Sequence, residues 1–331
     1  MWHKEKRRKI MNTYLKTATI LLSLVLIIGG CSVKKENVED DVGNKIKDET
    51  NDQGPFLTSE IQNIEIKNDS VALHVNLEVG PTNVNHKLYA FQNGIPVEFS
   101  LEESQKPSFV QTIKPANEKN QITLYMKTKD FKKGEKINLG FGIVINADYL
   151  PEVSNFIMFN DSMIQAYGKD FIADQDYQNQ NIDTKVMNNL KWTSTGKKDE
   201  KNLMPSYLLD TDKKVFDDMF SGKSYNSGKA IQTKKGETLH ISLTKNGLAP
   251  NGTISFYLNH KPLKLVGGYD AAILTYPNDD YGIADFDLII PDDIEKGNYA
   301  FYAIIAQTEE AQGSGGVYAF KISDERLVQI E

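Results

Sequence analysis

Few side chains in this 331-residue sequence stand where their type and spacing could support chemistry. The single cysteine, Cys31, lies in "IIGGCSVKK". A lone thiol builds no internal disulfide framework, so the fold must rest on its cores. "SGKS" at Ser221–Ser224 has the end of a phosphate-binding loop, but the first glycine of that motif would fall on Asp217. "GSGG" around Ser314 lacks the G-x-S-x-G nucleophile elbow and sits in a hairpin pattern rather than a strand-to-helix turn. Five histidines are present, and His3 belongs to the leading segment. His74 and His240 fall on the polar side of alternating strands, while His86 and His260 have no second ligand at zinc-site spacing. These patterns supply no catalytic residue, no metal set and no cofactor, and the chain reads as a non-enzyme.

Two acidic stretches could bind rather than react. "DQDYQNQNID", Asp174 to Asp183, sets oxygen side chains at alternate positions, but lacks the central glycine and terminal glutamate of the helical calcium loop. A solvated loop is the plainer reading. "GGYDAAILTYPNDDYGIADFD", Gly267 to Asp287, gathers Tyr269, Asp270, Tyr276, Asp279, Asp280 and Tyr281, with Asp285 beyond them. Exposed tyrosines pack flat against sugars or peptides, and neighbouring carboxylates favour a cationic or hydroxyl-rich partner. Those six residues are the candidate ligand-binding group. The alternative is a turn whose tyrosines enter the core and whose aspartates keep it soluble.

Charge is unevenly spread. Residues 1–30 carry Lys4, Lys6, Arg7, Arg8, Lys9 and Lys16 against Glu5, a net of +5; removing it from the net −7 of the whole leaves −12 from Cys31 onward. So acidic a surface disfavours nucleic acid, whose phosphates need clustered Lys and Arg. The basic segment ends at Lys16, an apolar run "ATILLSLVLII" spans Ala18 to Ile28, and Gly29 and Gly30 precede Cys31. That run is shorter than the roughly 20 residues of a membrane span, which is the pattern of an export signal. Met11 would serve equally well as its start.

Ile28-Gly29-Gly30-Cys31 resembles the lipobox of bacterial lipoproteins: an aliphatic residue, two small ones, then the cysteine. The resemblance implies that residues 1–30 are a signal peptide and that Cys31 becomes a mature N-terminus acylated by membrane lipid. It also implies a place on the outer face of the cytoplasmic membrane, in a Gram-positive cell. Two or more acyl chains anchor firmly, at about 0.8 kcal/mol per buried CH₂. Residues 31–55, "CSVKKENVEDDVGNKIKDETNDQGP", hold too little apolar surface to fold. They read as a charged tether, which at about 5–6 Å × √n reaches roughly 25–30 Å.

The elements that must carry any site are strands. Ala72–Phe99 aligns without a gap to Thr238–Leu265 at an offset of 166, matching Leu73, His74, Leu77, Asn85, Asn93 and Pro96 to Leu239, His240, Leu243, Asn251, Asn259 and Pro262. "DFKKGEK" at Asp130 answers "DIEKGNY" at Asp293 at an offset of 163. A period this long means repeated domains rather than a solenoid. In "VALHVNL" the bulky apolar residues alternate with Ala72, His74 and Asn76, and "TLHISLT" repeats the pattern, the mark of half-buried strands. Asn93-Gly94 is a tight-turn dipeptide, and Asn259-His260 a poorer version of it. This pattern resembles immunoglobulin-like β-sandwiches. Tyr299, two residues after Gly297 and opening "YAFYAIIA", is similar to their tyrosine corner, whereas the other copy has Lys136 there. The expectation is an all-β chain with one sandwich over residues 56–200 and another over 201–331. Residues 160–222 are assigned to neither with any force, and "KKVFDDMF" reads as one short helix.

Taken together, these readings predict a membrane-anchored, extracytoplasmic protein with a binding, adhesion or assembly role. Its partners would be membrane lipid through Cys31 and an envelope glycan, peptide or membrane protein. The alternatives are a cell-envelope enzyme or carbohydrate-binding accessory, or an immunity or sensor subunit of a membrane transporter.

Overall fold

The computed structural model describes residues 56–331 apart from 68, 81–83, 115–119, 151–162, 180–183, 189, 191, 197–205, 215, 217–228, 247–251, 276–280, 308–317 and 323–324. Cys31 and the leading segment lie outside the described residues, as do the Ser221–Ser224 and Ser314 stretches. The described chain is all-β. Among the described residues, Lys213, Lys214 and Phe216 alone have helical backbone, in the stretch expected to form a short helix. Asp52–Glu331 forms one compact unit.

Two bodies of strands follow each other along it. The first holds β1(Phe56–Ile66), β2(Val71–Gly80), β3(His86–Gln92), β4(Ile95–Val97), β5(Phe99–Ser100), β6(Gln111–Ile113), β7(Asn120–Met126), β8(Lys136–Ile145) and β9(Met163–Ile172). The second begins with β10(Val186–Met187), β11(Trp192–Gly196), β12(Ser206–Asp210), β13(Ile231–Thr233), β14(Thr238–Asn246) and β15(Gly252–Leu258). It continues with β16(Lys261–Leu265), β17(Ala271–Leu274), β18(Tyr281–Ile289), β19(Gly297–Gln307), β20(Tyr318–Ile322) and β21(Arg326–Ile330).

The alternation in the sequence becomes a buried face in each body. Val71, Leu73, Val75 and Leu77 of β2 enter a core with Leu124 and Met126 of β7 and Leu88, Ile137, Leu139 and Phe141 from the facing sheet. Leu239, Ile241 and Leu243 of β14 enter a second core with Phe286, Phe256, Phe301 and Ile305. The antiparallel partners correspond as well. β2 lies between β1 and β7, as β14 lies between β12 and β18. β3 pairs with β4, β6 and β8, as β15 pairs with β16, β17 and β19.

The change of core falls between Tyr177 and Lys185. Tyr177 is buried in the first core and stacks on Phe131 with centroids 5.2 Å apart. Lys185 already exchanges backbone contact with the second body, accepting the Asp270 N–H at 2.8 Å. β10 and β11 both precede residue 200, yet they pair with β17 and β18. One strand pairing also crosses between the bodies, β9 with β20, with Tyr167 opposite Ala319 and Gly168 opposite Tyr318.

Candidate functional site

The tyrosine–aspartate group is only partly brought together by the fold. Tyr269 closes the turn after β16: its carbonyl accepts the Leu265 N–H at 2.9 Å, and its half-buried ring packs on the second core. Asp270 turns inward. Its carboxylate accepts the Lys185 N–H at 2.9 Å and pairs with Lys264, which ties the incoming β10 segment to β16 and β17. Tyr276, Asp279 and Asp280 lie outside the described residues. Tyr281 opens β18 with its backbone opposite Gly196. Asp285 is engaged on the outer sheet face, accepting from Ser242 Oγ at 2.6 Å and from Lys213 Nζ at 2.7 Å. Burial raises the Asp285 carboxyl, but the Lys213 and Ser242 hydrogen bonds outweigh it and leave the group below the usual range.

Within the calcium-like stretch, whose residues 180–183 lie outside the described residues, Asp176 is engaged locally. Asp176 Oδ1 accepts the Lys133 N–H at 2.8 Å, which with Lys132 holds the carboxyl below its ordinary value. Among the described residues, no group of three His, Cys, Asp or Glu side chains could hold a metal ion. His74 and His240 face outward across from equivalent partners. His74 Nδ1 lies 3.1 Å from Thr123 Oγ1, and His240 Nδ1 lies 2.5 Å from Asp287 Oδ1. His86 is fully buried and its Nδ1 accepts the Asn146 N–H at 3.1 Å.

Among the described residues, an extended polar arrangement lies elsewhere, at a joint between the two bodies. Tyr89 and Phe91 of β3, Val144 of β8 and Ala147 pack against Tyr257 of β15 and Tyr302, Ile304 and Ala306 of β19. These residues occupy the sheet faces opposite the two cores. Tyr257 stacks on Tyr302 with centroids 5.5 Å apart, and Tyr89 meets Tyr257 edge-on at 4.9 Å. Each such pair adds about 0.5–1.5 kcal/mol beyond the area it buries. Tyr89 Oη and Tyr302 Oη are 2.5 Å apart, and Ser255 Oγ donates to Tyr257 Oη at 3.1 Å. Burial pushes all three phenols above their ordinary values, so the joint holds neutral hydroxyls.

Corresponding hairpin tips reach across this joint in both directions. Asn93 and Gly94, at φ 50° and 77°, turn β3 into β4, while Asn259 and His260, at φ 48° and 63°, turn β15 into β16. Gly94 presses its backbone on the second body, accepting from Thr253 Oγ1 at 2.5 Å; a Cβ there would come within 2.3 Å of that oxygen. His260 sends its ring into the first body. Nε2 lies 2.6 Å from the Ala147 carbonyl and Nδ1 lies 2.9 Å from Tyr302 Oη.

Counting histidines and their spacings does not reveal this role for His260. A signal was present in the strands themselves: every residue of β15 is buried, and "ISFYL" and "AFYAIIA" are apolar on both faces. Such runs mark strands covered twice, in contrast to the half-exposed alternation of β2 and β14. Chemically, the joint offers hydroxyls, a neutral imidazole and aromatic faces already engaged with each other. These groups bond to one another and to backbone across the joint.

No family model matches the chain, and no curated protein matches its sequence. Among solved structures, a chimeric titin Z1Z2-Z1Z2 tandem carrying a GRGDS peptide from fibronectin aligns over 84% of this chain and 99% of its own. The two are 8% identical with a TM-score of 0.18, too distant a likeness to carry an argument.

Proposed function

We propose that this chain is a lipid-anchored extracytoplasmic protein whose two tandem immunoglobulin-like sandwiches, the product of a duplication, serve binding, adhesion or assembly rather than catalysis. Acylation of Cys31 would hold it on the outer face of a bacterial cytoplasmic membrane, with residues 31–55 as the tether. The observation that supports a scaffold is where the buried polar groups spend their hydrogen bonds. Arg326, 5% exposed, pairs with Asp210 at 2.8 Å, Asp270 closes on Lys264 and Lys185, and His260 joins Tyr302 to Ala147. Groups held this way lock geometry, and their hydrogen bonds go to other parts of the chain.

Metabolic labelling with a fatty-acid analogue tests the anchoring. The intact protein should incorporate label and Cys31→Ala should not; equal incorporation would remove the lipoprotein reading. For the partner, co-purification of the membrane-bound protein should return an envelope glycan, peptide or membrane protein. Retention undiminished by Asp280→Ala with Tyr276→Ala would exclude the tyrosine–aspartate loop as the contact.

A further inference from the structure

Among the described residues that reach across the joint, His260 is a group whose charge can change near neutral pH. It sits at φ 63°, a backbone region that suits Asn or Gly better than a branched-ring side chain, and it is only 4% exposed. Both ring nitrogens are committed across the joint. A carbonyl only accepts, so Nε2 carries the proton donated to Ala147, and Nδ1 of the neutral ring accepts from Tyr302. That choice sets the rest of the chain: Tyr302 O–H points to His260, and Tyr89 O–H points to Tyr302 Oη. A second proton on the ring would set Nδ1–H against Tyr302 O–H. Tyr302 would then have to turn toward Tyr89, and Tyr89 toward the His260 carbonyl, which is 3.4 Å away. The reversed chain ends on a longer, weaker bond.

The surroundings do little to welcome the charge. Tyr89, Tyr257 and Tyr302 supply neutral phenols from β3, β15 and β19. Lys87 of β3 opposes a cation, and its Nζ donates to Thr112 Oγ1 at 2.7 Å. Asp148, after β8, favours a cation, but it is exposed and already accepts from Asn85 at 2.6 Å. Glu325, ahead of β21, acts on Tyr89 and Tyr302. His86 accepts from the residue next to Ala147, so a test must separate the two histidines. Burial is the main influence on His260 and lowers its pKa, with the Ala147 carbonyl opposing and Lys87 adding to the effect. A separated joint exposes the ring, which then titrates near 6.5. The open form therefore binds more protons as pH falls from about 6.5 toward the lowered value, and the closed form loses stability over that window.

We propose that the joint is an acid-operated latch, in which protonation of His260 reverses its hydroxyl chain and lets the two bodies part while each core stays folded. Buried-thiol trapping reads the opening directly. In the full chain with Cys31→Ala, Val144→Cys would report on the joint and Val75→Cys on the first core. Dithiodipyridine rates, divided by those of the unfolded chain at each pH, give the opening constant. From pH 6.5 downward the constant at Val144→Cys should rise by up to about tenfold per pH unit, while that at Val75→Cys stays level. His260→Asn tolerates the turn, places its amide near the Nδ1 position beside Tyr302 and cannot charge, so it should flatten the profile; His260→Gly serves the same purpose if the Asn variant fails to fold. A joint constant independent of pH between 7.5 and 5, or one that rises equally in both His260 variants, would overturn the latch.

Discussion

The two hairpin tips at the joint solve one geometric problem in opposite ways. Asn93-Gly94 and Asn259-His260 have nearly the same left-handed backbone, and each tip's leading N–H bonds the neighbouring strand at 2.8 Å, Asn93 to Asn138 and Asn259 to Ala300. The first tip docks by having no side chain, letting its carbonyl meet Thr253. The second docks by having a large one, which crosses into the other body and accepts conformational strain to do so. The comparison teaches that related turns need not play interchangeable parts. One is an inert contact set by shape, while the other carries a titratable group and makes the contact conditional.

The strongest way to break that contrast is to give the first tip a side chain. Gly94→Ala would force a Cβ into Thr253 at a positive φ. A loss of about 2–4 kcal/mol is expected from strain and overpacking together, read as a lower denaturant midpoint. Tyr302→Phe attacks the second tip, removing the hydroxyl between His260 and Tyr89. Leaving buried polar groups short of a partner should cost about 1–3 kcal/mol, and the penalty should be absent if the hydroxyl chain is not formed. Tyr299→Phe sharpens the comparison farther from the joint. Its hydroxyl donates to the Glu295 carbonyl at 2.8 Å, where the first body has Lys136 paired with Asp170. A loss of about 0.5–1.5 kcal/mol should appear in unfolding of the second body. His240→Ala, on an exposed face, should change stability by less than about 0.5 kcal/mol even though His240 touches Asp287.

Sequence patterns made the half-exposed strands and their turns readable. Val71, Leu73, Val75 and Leu77 alternate with Ala72, His74 and Asn76, and one face had to be buried. Asn-Gly declares its turn because both residues accept positive φ. Tyr299 forms the turn-bridging bond that its place after Gly297 suggested. The partner of Asp270 is not legible locally: whether its carboxylate points to solvent or to Lys264 depends on where the β10 segment runs, and that segment arrives from 85 residues upstream. The change of core near residues 177–185 was obscured for a similar reason. The polar stretch there looks like a loop until β10 and β11 pair with strands far down the chain.

Local chemistry, then, determined the strand character and the turns, because periodicity and φ preference act between near neighbours. Only the tertiary structure decided that Tyr89 meets Tyr302 across 213 residues and that a histidine at one turn closes on a carbonyl of the other body. An apolar residue on a doubly buried strand states that it must be covered; the energy of covering it is non-directional and does not name the residue that will do so.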